Sequence, residues 1–393
     1  MRADPLAFLS TELSALREQG LLRPLRVLEG EQRATTTFDH HQVVNLSSNN
    51  YLGLTTHPRL RERALDAVRR LGVGTGSVRT IAGTMSLHVE LEERLAVFKQ
   101  TEAVVVFQSG FTANAGTVSS VLGKDDIVVS DELNHASIID GCRLSRATIH
   151  VFPHKDVDRA RAILRALPAS PRKLLITDGV FSMEGDLGPL PALCALAEEF
   201  GCIMMVDDAH ASGVFGKNGR GTVDHFGMHG RVDIQVGTLS KAIGVLGGYV
   251  AGNRALIDFL HQRARPFLFS TSHPPAVAAA CLAAIDVLLE EPEIMERLWD
   301  NTRFFKAGLE ALGFNTGQSE SPITPVIVGE AALAATMSDK LFAQGVFAQS
   351  IGFPTVAKDQ ARLRTIVSAT HTREDLQFAL ERMAQVGREL GVI

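Results

Sequence analysis

Cysteine is scarce in this chain of 393 residues: there are four, at 142, 194, 202 and 281, with no Cys-x-x-Cys pair and no metal-finger spacing. They read as free thiols in a reducing compartment, and no metal site is expected. Basic charge is not in excess either. With 39 Lys and Arg against 44 Asp and Glu, a formal net charge of −5 and no long basic run, the chain has no electrostatic basis for holding a nucleic-acid backbone. No apolar run is long enough to span a bilayer: the richest, Pro274 to Ile285, is broken by Asp286 and reads as a buried helix. Met1 to Ser14 mixes Asp4, Pro5 and Glu12 with its apolar residues, unlike a signal peptide, so a soluble, cytoplasmic protein is expected. Three sequence signatures are also missing. Without Gly-x-x-x-x-Gly-Lys-Ser/Thr, Gly-x-Gly-x-x-Gly or Gly-x-Ser-x-Gly, nucleotide hydrolysis, dinucleotide redox chemistry and serine esterase chemistry lose their main support.

What is present describes a globular chain: 45% hydrophobic residues, 21% charged and 34 glycines. Its length favours two domains. Asp4 to Glu18 spaces Leu6, Phe8, Leu9, Leu13 and Leu16 as an amphipathic helix; Val43 to Leu46 reads as a strand and Pro58 to Leu71 as a helix. From about Glu90 to Gly252, β-branched runs alternate with helical windows. Ala103–Phe107, Asp126–Val129, Ile149–Phe152, Leu174–Thr177, Ile203–Val206, Ile234–Val236 and Tyr249–Ala251 are the strand candidates. Runs this continuous predict strands covered on both faces, in a mostly parallel α/β sheet. Beyond Pro274, strands at Ile323–Val328, Val346–Ser350 and Leu363–Ser368, with helices at Met337–Gln344 and Arg373–Leu390, predict a smaller α+β domain. The expected organisation is an N-terminal helix and arm over 1–45, a large domain over 46–285 and a small one over 286–393.

Polar residues cluster where the predicted strands end, the edge at which ligands collect in α/β folds. Gly237-Thr-Leu-Ser-Lys241-Ala follows one strand, and partial desolvation of Lys241 would make accessible the neutral amine that a Schiff base needs. By itself it is equally a surface lysine. Val206-Asp207-Asp-Ala-His210 follows another strand; Asp207 suits a protonated pyridine nitrogen and His210 a phenolic oxygen, although a metal site or helix cap fits this segment equally well. Gln108-Ser-Gly-Phe-Thr-Ala-Asn114 opens a helix whose N–H groups suit a phosphate, with Thr238 as a second donor. A plain strand-to-helix turn is the simpler reading of that segment alone. His135, in Leu133-Asn-His-Ala-Ser137, suits stacking on such a ring or proton transfer, and Asp178-Gly-Val-Phe-Ser182 brings Ser182 to the same edge. In Ala361-Arg-Leu-Arg364 either arginine could clamp a carboxylate, and strand alternation puts both on one face.

Together, Asn49-Asn-Tyr-Leu-Gly-Leu54, Leu133-Asn-His-Ala-Ser-Ile-Ile-Asp-Gly141, Thr177-Asp-Gly-Val-Phe-Ser-Met183, Val206-Asp-Asp-Ala-His210 and Gly237-Thr-Leu-Ser-Lys241-Ala resemble the α-oxoamine synthase family of pyridoxal-5′-phosphate (PLP) enzymes, from about Leu6 to the end of the chain. The resemblance implies fold type I and a homodimer with shared active sites. It assigns the PLP imine to Lys241, ring stacking to His135, the ring-nitrogen partner to Asp207 and a hydroxyl-side contact to His210. It also assigns phosphate contacts to Gly110, Phe111, Ser182 and Thr238, places Ser270 and Thr271 at the partner's phosphate, and gives the amino-acid carboxylate to Asn49 and Arg364.

Within the family, the Thr-Asp-Gly motif, Arg265-Pro-Phe-Leu-Phe-Ser270, Gln360-Ala-Arg-Leu-Arg364 and Leu390-Gly-Val-Ile393 look most like the glycine C-acetyltransferase (2-amino-3-ketobutyrate CoA ligase) branch. The expected reaction is then glycine plus acetyl-CoA to 2-amino-3-oxobutanoate and CoA. Gly185-Asp186 and the style of Ser109–Asn114 are shared with the 8-amino-7-oxononanoate synthase branch, which joins alanine to a pimeloyl thioester and is the alternative. Two positions depart from the family: Glu184 stands where aspartate is usual and Lys358-Asp359 where Lys-Gly is usual. Other readings are a PLP aminotransferase or aldolase, which would use the same lysine and aspartate, and a non-catalytic binding protein with this fold.

Overall fold

The computed structural model describes residues 4–18, 25–168 and 172–393, so residues 1–3 and 19–24 of the expected N-terminal arm lie outside it. Among the described residues the strands, in chain order, are β1 Thr35–Phe38, β2 His41–Asn45, β3 Ala103–Phe107, β4 Ile127–Asp131, β5 Thr148–Phe152, β6 Lys173–Asp178, β7 Ile203–Asp207, β8 Ile234–Thr238, β9 Gly248–Gly252, β10 Ile323–Gly329, β11 Val346–Phe347, β12 Gln349–Ile351 and β13 Ala361–Ile366. Seven of them form the central sheet, in the order β3-β9-β8-β7-β6-β4-β5. All neighbours from β8 to β5 pair in parallel, while β9 is antiparallel to both β3 and β8. The mostly parallel α/β sheet expected from the sequence is therefore present, with the carboxyl ends of β3, β4, β6, β7 and β8 along one edge.

The apolar runs explain the layering. Every residue of β3, β4, β6, β8 and β9 is buried, because helices cover both faces. β5 departs from that expectation. It is one of the sheet's two outer strands, with Ile149 and Val151 exposed, and the sequence run alone could not mark it as an edge.

The Ala-rich segment is indeed a buried helix, but it does not stop at Asp286: it runs Pro275–Glu290. Asp286 ion-pairs with Arg94, so its charge is matched and the helix continues. Alanine's helix propensity and small size let this helix pack closely against its neighbours. The next helix, Glu293–Ala311, places Ile294 and Leu298 in the core shared with the large sheet, and Phe305 and Leu309 in the core of the C-terminal region.

Val346–Ser350, read as one strand, is two. Val346 and Phe347 pair in parallel with Val44 and Asn45, whereas Gln349, Ser350 and Ile351 pair antiparallel with Arg364, Leu363 and Arg362. Ser47 makes the switch: its Oγ donates to the Phe347 carbonyl at 3.1 Å and accepts the Gln349 N–H at 2.9 Å. Alternation marks which faces are buried, but it does not name the pairing partner. As a result β1 and β2 share a sheet with β11, and Val44 and Leu46 lie in the C-terminal core. Asp359 has φ 63°, the left-handed region that favours glycine and that aspartate tolerates, which accounts for glycine being usual there. Among the described residues no helix is long and apolar enough to cross a membrane.

One buried ion pair braces the edge between β7, β8 and β9. Lys99 Nζ, 1% exposed, lies 3.2 Å from Asp208 Oδ2, and the same carboxylate accepts the Thr222 N–H at 3.0 Å and its hydroxyl at 2.5 Å. Removing the ammonium leaves a buried carboxylate without its cation. We expect Lys99→Met to destabilise the protein by about 3–5 kcal/mol, measured as a loss in urea-unfolding free energy.

Candidate active site

The polar residues predicted at strand ends converge on one cavity of about 170 Å³. Its wall includes Gly110, Phe111, His135, Ser182, Asp207, His210, Thr238 and Lys241, all expected from the sequence. Asp178, Ser109, Ser137, Ala209 and Ser240 line it as well.

Backbone geometry places each group. Asp207 ends β7 and Asp178 ends β6, and the parallel register sets their Cα atoms side by side. Thr238 ends β8, and the turn after it carries Lys241. Hydrogen bonds from Leu239 N–H to the Gly247 carbonyl, 2.8 Å, and from Gly244 N–H to the Lys241 carbonyl, 2.9 Å, hold that turn closed. Gly244 has φ 75° and Gly247 φ 131°, backbone conformations that other residues rarely adopt. The helix Gly110–Val121 starts directly behind β3. Ser109 caps it by accepting the Thr112 N–H, which leaves the Gly110 and Phe111 N–H groups without an acceptor among the described residues.

The charges in the cavity are strongly coupled. Burial lowers the Lys241 amine from its ordinary value to about 8, against the opposing pull of Asp207 and Asp178. No described residue hydrogen-bonds or ion-pairs with its Nζ. Burial also pushes the Asp178 carboxyl well above its usual range, and the neighbouring Asp207 charge adds to the shift. His210 falls well below its ordinary value through burial and through the positive charges of Lys241 and Arg364. Its Nδ1 is 2.7 Å from Tyr51 Oη. Burial lowers His135 too.

Four expected residues stand outside this wall. Arg364 is part-buried, with Nη1 3.4 Å from the Ser182 carbonyl, while its neighbour Arg362 makes three shorter hydrogen bonds. Arg362 donates to Glu184 Oε2 at 2.6 Å, to the Met183 carbonyl at 3.0 Å and to the Gln360 carbonyl at 3.0 Å. The glutamate that departs from the family pattern thus serves Arg362, and the ambiguity between the two arginines is reduced to one committed and one loosely held side chain. Asn49 is part-buried, and its Oδ1 has no hydrogen-bond partner among the described residues. Ser270 and Thr271 do not line the cavity; the Thr271 carbonyl accepts from Gln108 Nε2 at 2.8 Å.

Asp178, Asn114, Ser137 and Tyr51 were not singled out from sequence. Asp178 carried the same signal as Asp207, a carboxylate at the end of an apolar strand. Tyr51 and Asn114 lay inside quoted motifs, but only the fold shows that they reach His210 and Asp207.

These groups fit a phosphorylated pyridine aldehyde: an unpaired amine of lowered proton affinity, a carboxylate, and free N–H groups at a helix N-terminus where the dipole favours a phosphate. The comparisons with known proteins agree. The profile of the family described as Aminotransferase class I and II matches residues 41–383. An 8-amino-7-oxononanoate synthase from Symbiobacterium thermophilum is 59% identical over 98% of this chain and 99% of its own length. One from Bacillus subtilis, 8-amino-7-oxononanoate synthase 1, is 57% identical over 98% of both chains. Among solved structures, a serine palmitoyltransferase from S. paucimobilis with bound PLP and myriocin superposes with a TM-score of 0.94 at 34% identity, over 99% of this chain and 100% of that one.

The Lys241 shift has a measurable consequence for the cofactor-free protein. Between pH 8 and 10.5 the unfolded chain keeps a proton that the folded chain has released, so this residue makes stability rise with pH across that window. Replacing it by Lys241→Met should flatten that rise in urea midpoints measured from pH 7.5 to 10.5.

Proposed function

The chain belongs to the class I and II aminotransferase family, within its α-oxoamine synthase group of PLP-dependent acyltransferases, and from that premise we propose that it joins alanine to a pimeloyl thioester, giving 8-amino-7-oxononanoate with loss of the thiol and carbon dioxide. The convergence of Lys241, Asp207, Asp178 and His135 on one cavity carries the reaction class. The substrate pair rests on the shared name of relatives 59% and 57% identical along almost the whole chain. The glycine and acetyl-CoA pairing expected from the sequence has no such support and is set aside.

PLP supplies an electron sink that stabilises negative charge at the amino acid's α-carbon. Lys241 would hold its aldehyde carbon, and Asp207 would keep the ring nitrogen protonated. His135 would lie against the ring and His210, held by Tyr51, would meet the phenolic oxygen. Gly110 and Phe111 N–H groups, with Ser182 and Thr238, would bind the phosphate. Released from the cofactor, the Lys241 amine would take the α-proton of the amino acid, whose carboxylate Asn49 and Arg364 would hold. Among the described residues the Arg364 guanidinium makes one hydrogen bond, the long one to the Ser182 carbonyl, which leaves donors for that task. His135 would donate a hydrogen bond to the oxyanion that forms when the thioester carbon is attacked.

A homodimer is part of this reading. Phe269, 70% exposed beside Ser270, and Ile81, 83% exposed, are apolar surface that a second copy would cover, bringing Ser270 and Thr271 to the partner's phosphate.

Two experiments test the reading. Thiol release should be fastest with alanine and pimeloyl-CoA among the four pairings of alanine or glycine with pimeloyl-CoA or acetyl-CoA. A strong preference for glycine with acetyl-CoA would reverse the assignment. Borohydride reduction of the PLP-loaded protein should fix the label on the peptide containing Lys241, as read by mass spectrometry, and Lys241→Ala should lose both the label and the visible absorbance.

A further inference from the structure

A chain of hydrogen bonds joins Asp207 to His135 through two side chains that have no part in the roles above. Asn114 is fully buried on the helix Gly110–Val121, and Ser137 is 1% exposed. Asn114 Nδ2 lies 2.6 Å from Asp207 Oδ2 and 2.9 Å from Ser137 Oγ. Ser137 Oγ is 2.7 Å from His135 Nδ1, and the Ser137 backbone N–H reaches the same nitrogen at 3.2 Å. The other ring nitrogen, Nε2, meets no described residue, although the ring lines the cavity.

Donor and acceptor capacity fixes the place of each proton. The Asp207 carboxylate only accepts, its Oδ1 already taking the Ala209 N–H at 2.8 Å. The Asn114 atom facing it must therefore be the amide nitrogen, since a carbonyl oxygen 2.6 Å from a carboxylate oxygen would be repelled. This orientation holds even though it leaves the buried Asn114 Oδ1 without a partner among the described residues. Both hydrogens of that nitrogen are then committed, one to Asp207 and one to Ser137 Oγ. Ser137 Oγ accepts from Asn114 and is left with its own hydrogen for His135 Nδ1. A nitrogen that accepts from both a hydroxyl and an amide carries no proton, so the neutral ring carries its proton on Nε2. With a proton on Nδ1 instead, the Ser137 amide would face another N–H, and the cavity would meet a lone pair.

We propose that Asn114 and Ser137 are positioning residues: they hold Asp207 in place and fix His135 as an Nε2–H donor facing the cavity before any substrate arrives. The proposal rests on reading His135 as the hydrogen-bond donor to the oxyanion, and it supplies the reason that donor is ready. An imidazole free to exchange tautomers would present a lone pair to a forming anion part of the time.

The test is ¹⁵N NMR of the histidine-labelled full chain, with and without PLP, at a pH where the ring is neutral and with assignment by His135→Gln. We expect a protonated Nε2 and an unprotonated, hydrogen-bonded Nδ1 in both forms; a proton on Nδ1, or an even mixture, overturns the proposal. Ser137→Ala keeps the amide and deletes the hydroxyl. Its Nδ1 resonance should move toward that of a weaker acceptor, and kcat should fall roughly tenfold, about 1.4 kcal/mol, with KM for the amino acid unchanged. An alanine variant whose Nδ1 resonance does not move removes Ser137 from the relay and overturns the proposal. The spectra need no thioester, so loss of the pimeloyl assignment would leave them standing. A wrong tautomer in an enzyme active with alanine and pimeloyl-CoA would overturn the relay alone.

Discussion

The site depends on one ammonium taken out of water opposite two carboxylates. Burial favours the neutral amine of Lys241, the charges of Asp207 and Asp178 favour the cation, and the balance sits near 8. The same three groups act on one another. Because β6 and β7 run in parallel register, the two aspartates end side by side, and the Asp178 carboxyl rises, through burial first and the neighbouring Asp207 charge second. Asp178 also accepts the His135 backbone N–H at 2.9 Å, so the group that moderates the charge also anchors the imidazole's turn. His210 moves in the opposite sense, lowered by burial and then by the positive charges of Lys241 and Arg364. Electrostatics and backbone register are thus a single constraint here, and moving any one strand end would change all of these proton affinities together.

Much of this was legible in the order of residues, for identifiable reasons. Continuous apolar runs mark the buried strands, and a polar residue soon after each run marks the carboxyl edge, which is how the sequence brings Lys241, Asp207, His210, Gly110 and Ser182 together. What could not be read depends on partners distant in the chain. Nothing in Val346–Ser350 says that its first half pairs with β2 and its second with β13. Nothing in Asn114 says that it will face Asp207, 93 residues away. The equal spacing of Arg362 and Arg364 concealed their difference, because that difference comes from Glu184 and Met183 on another element.

The substrate pair shows another limit. The features that suggested glycine and acetyl-CoA include Arg265–Ser270 and Leu390–Ile393, and none of these residues lines the cavity. They record resemblance along the chain away from this wall. The Thr177 hydroxyl of the same group of clues is fully buried and donates to the Asp178 carbonyl at 3.0 Å, a structural task. Agreement at such positions follows ancestry and packing. Identity over almost the entire length, as with the 8-amino-7-oxononanoate synthases, samples the cavity and its supports together.

The contact of β13 with the turn at Ser182–Glu184 has a consequence for recombining this fold. β13 belongs to the C-terminal sheet, yet Arg362 and Arg364 reach across to carbonyl and carboxylate groups that follow β6 of the central one. A chimaera that joins this N-terminal body to another protein's C-terminal third would exchange both arginines while keeping their acceptors. Such hybrids would have to carry residue 184 and the 362–364 tripeptide as one inherited unit, although 178 residues of chain separate Glu184 from Arg362.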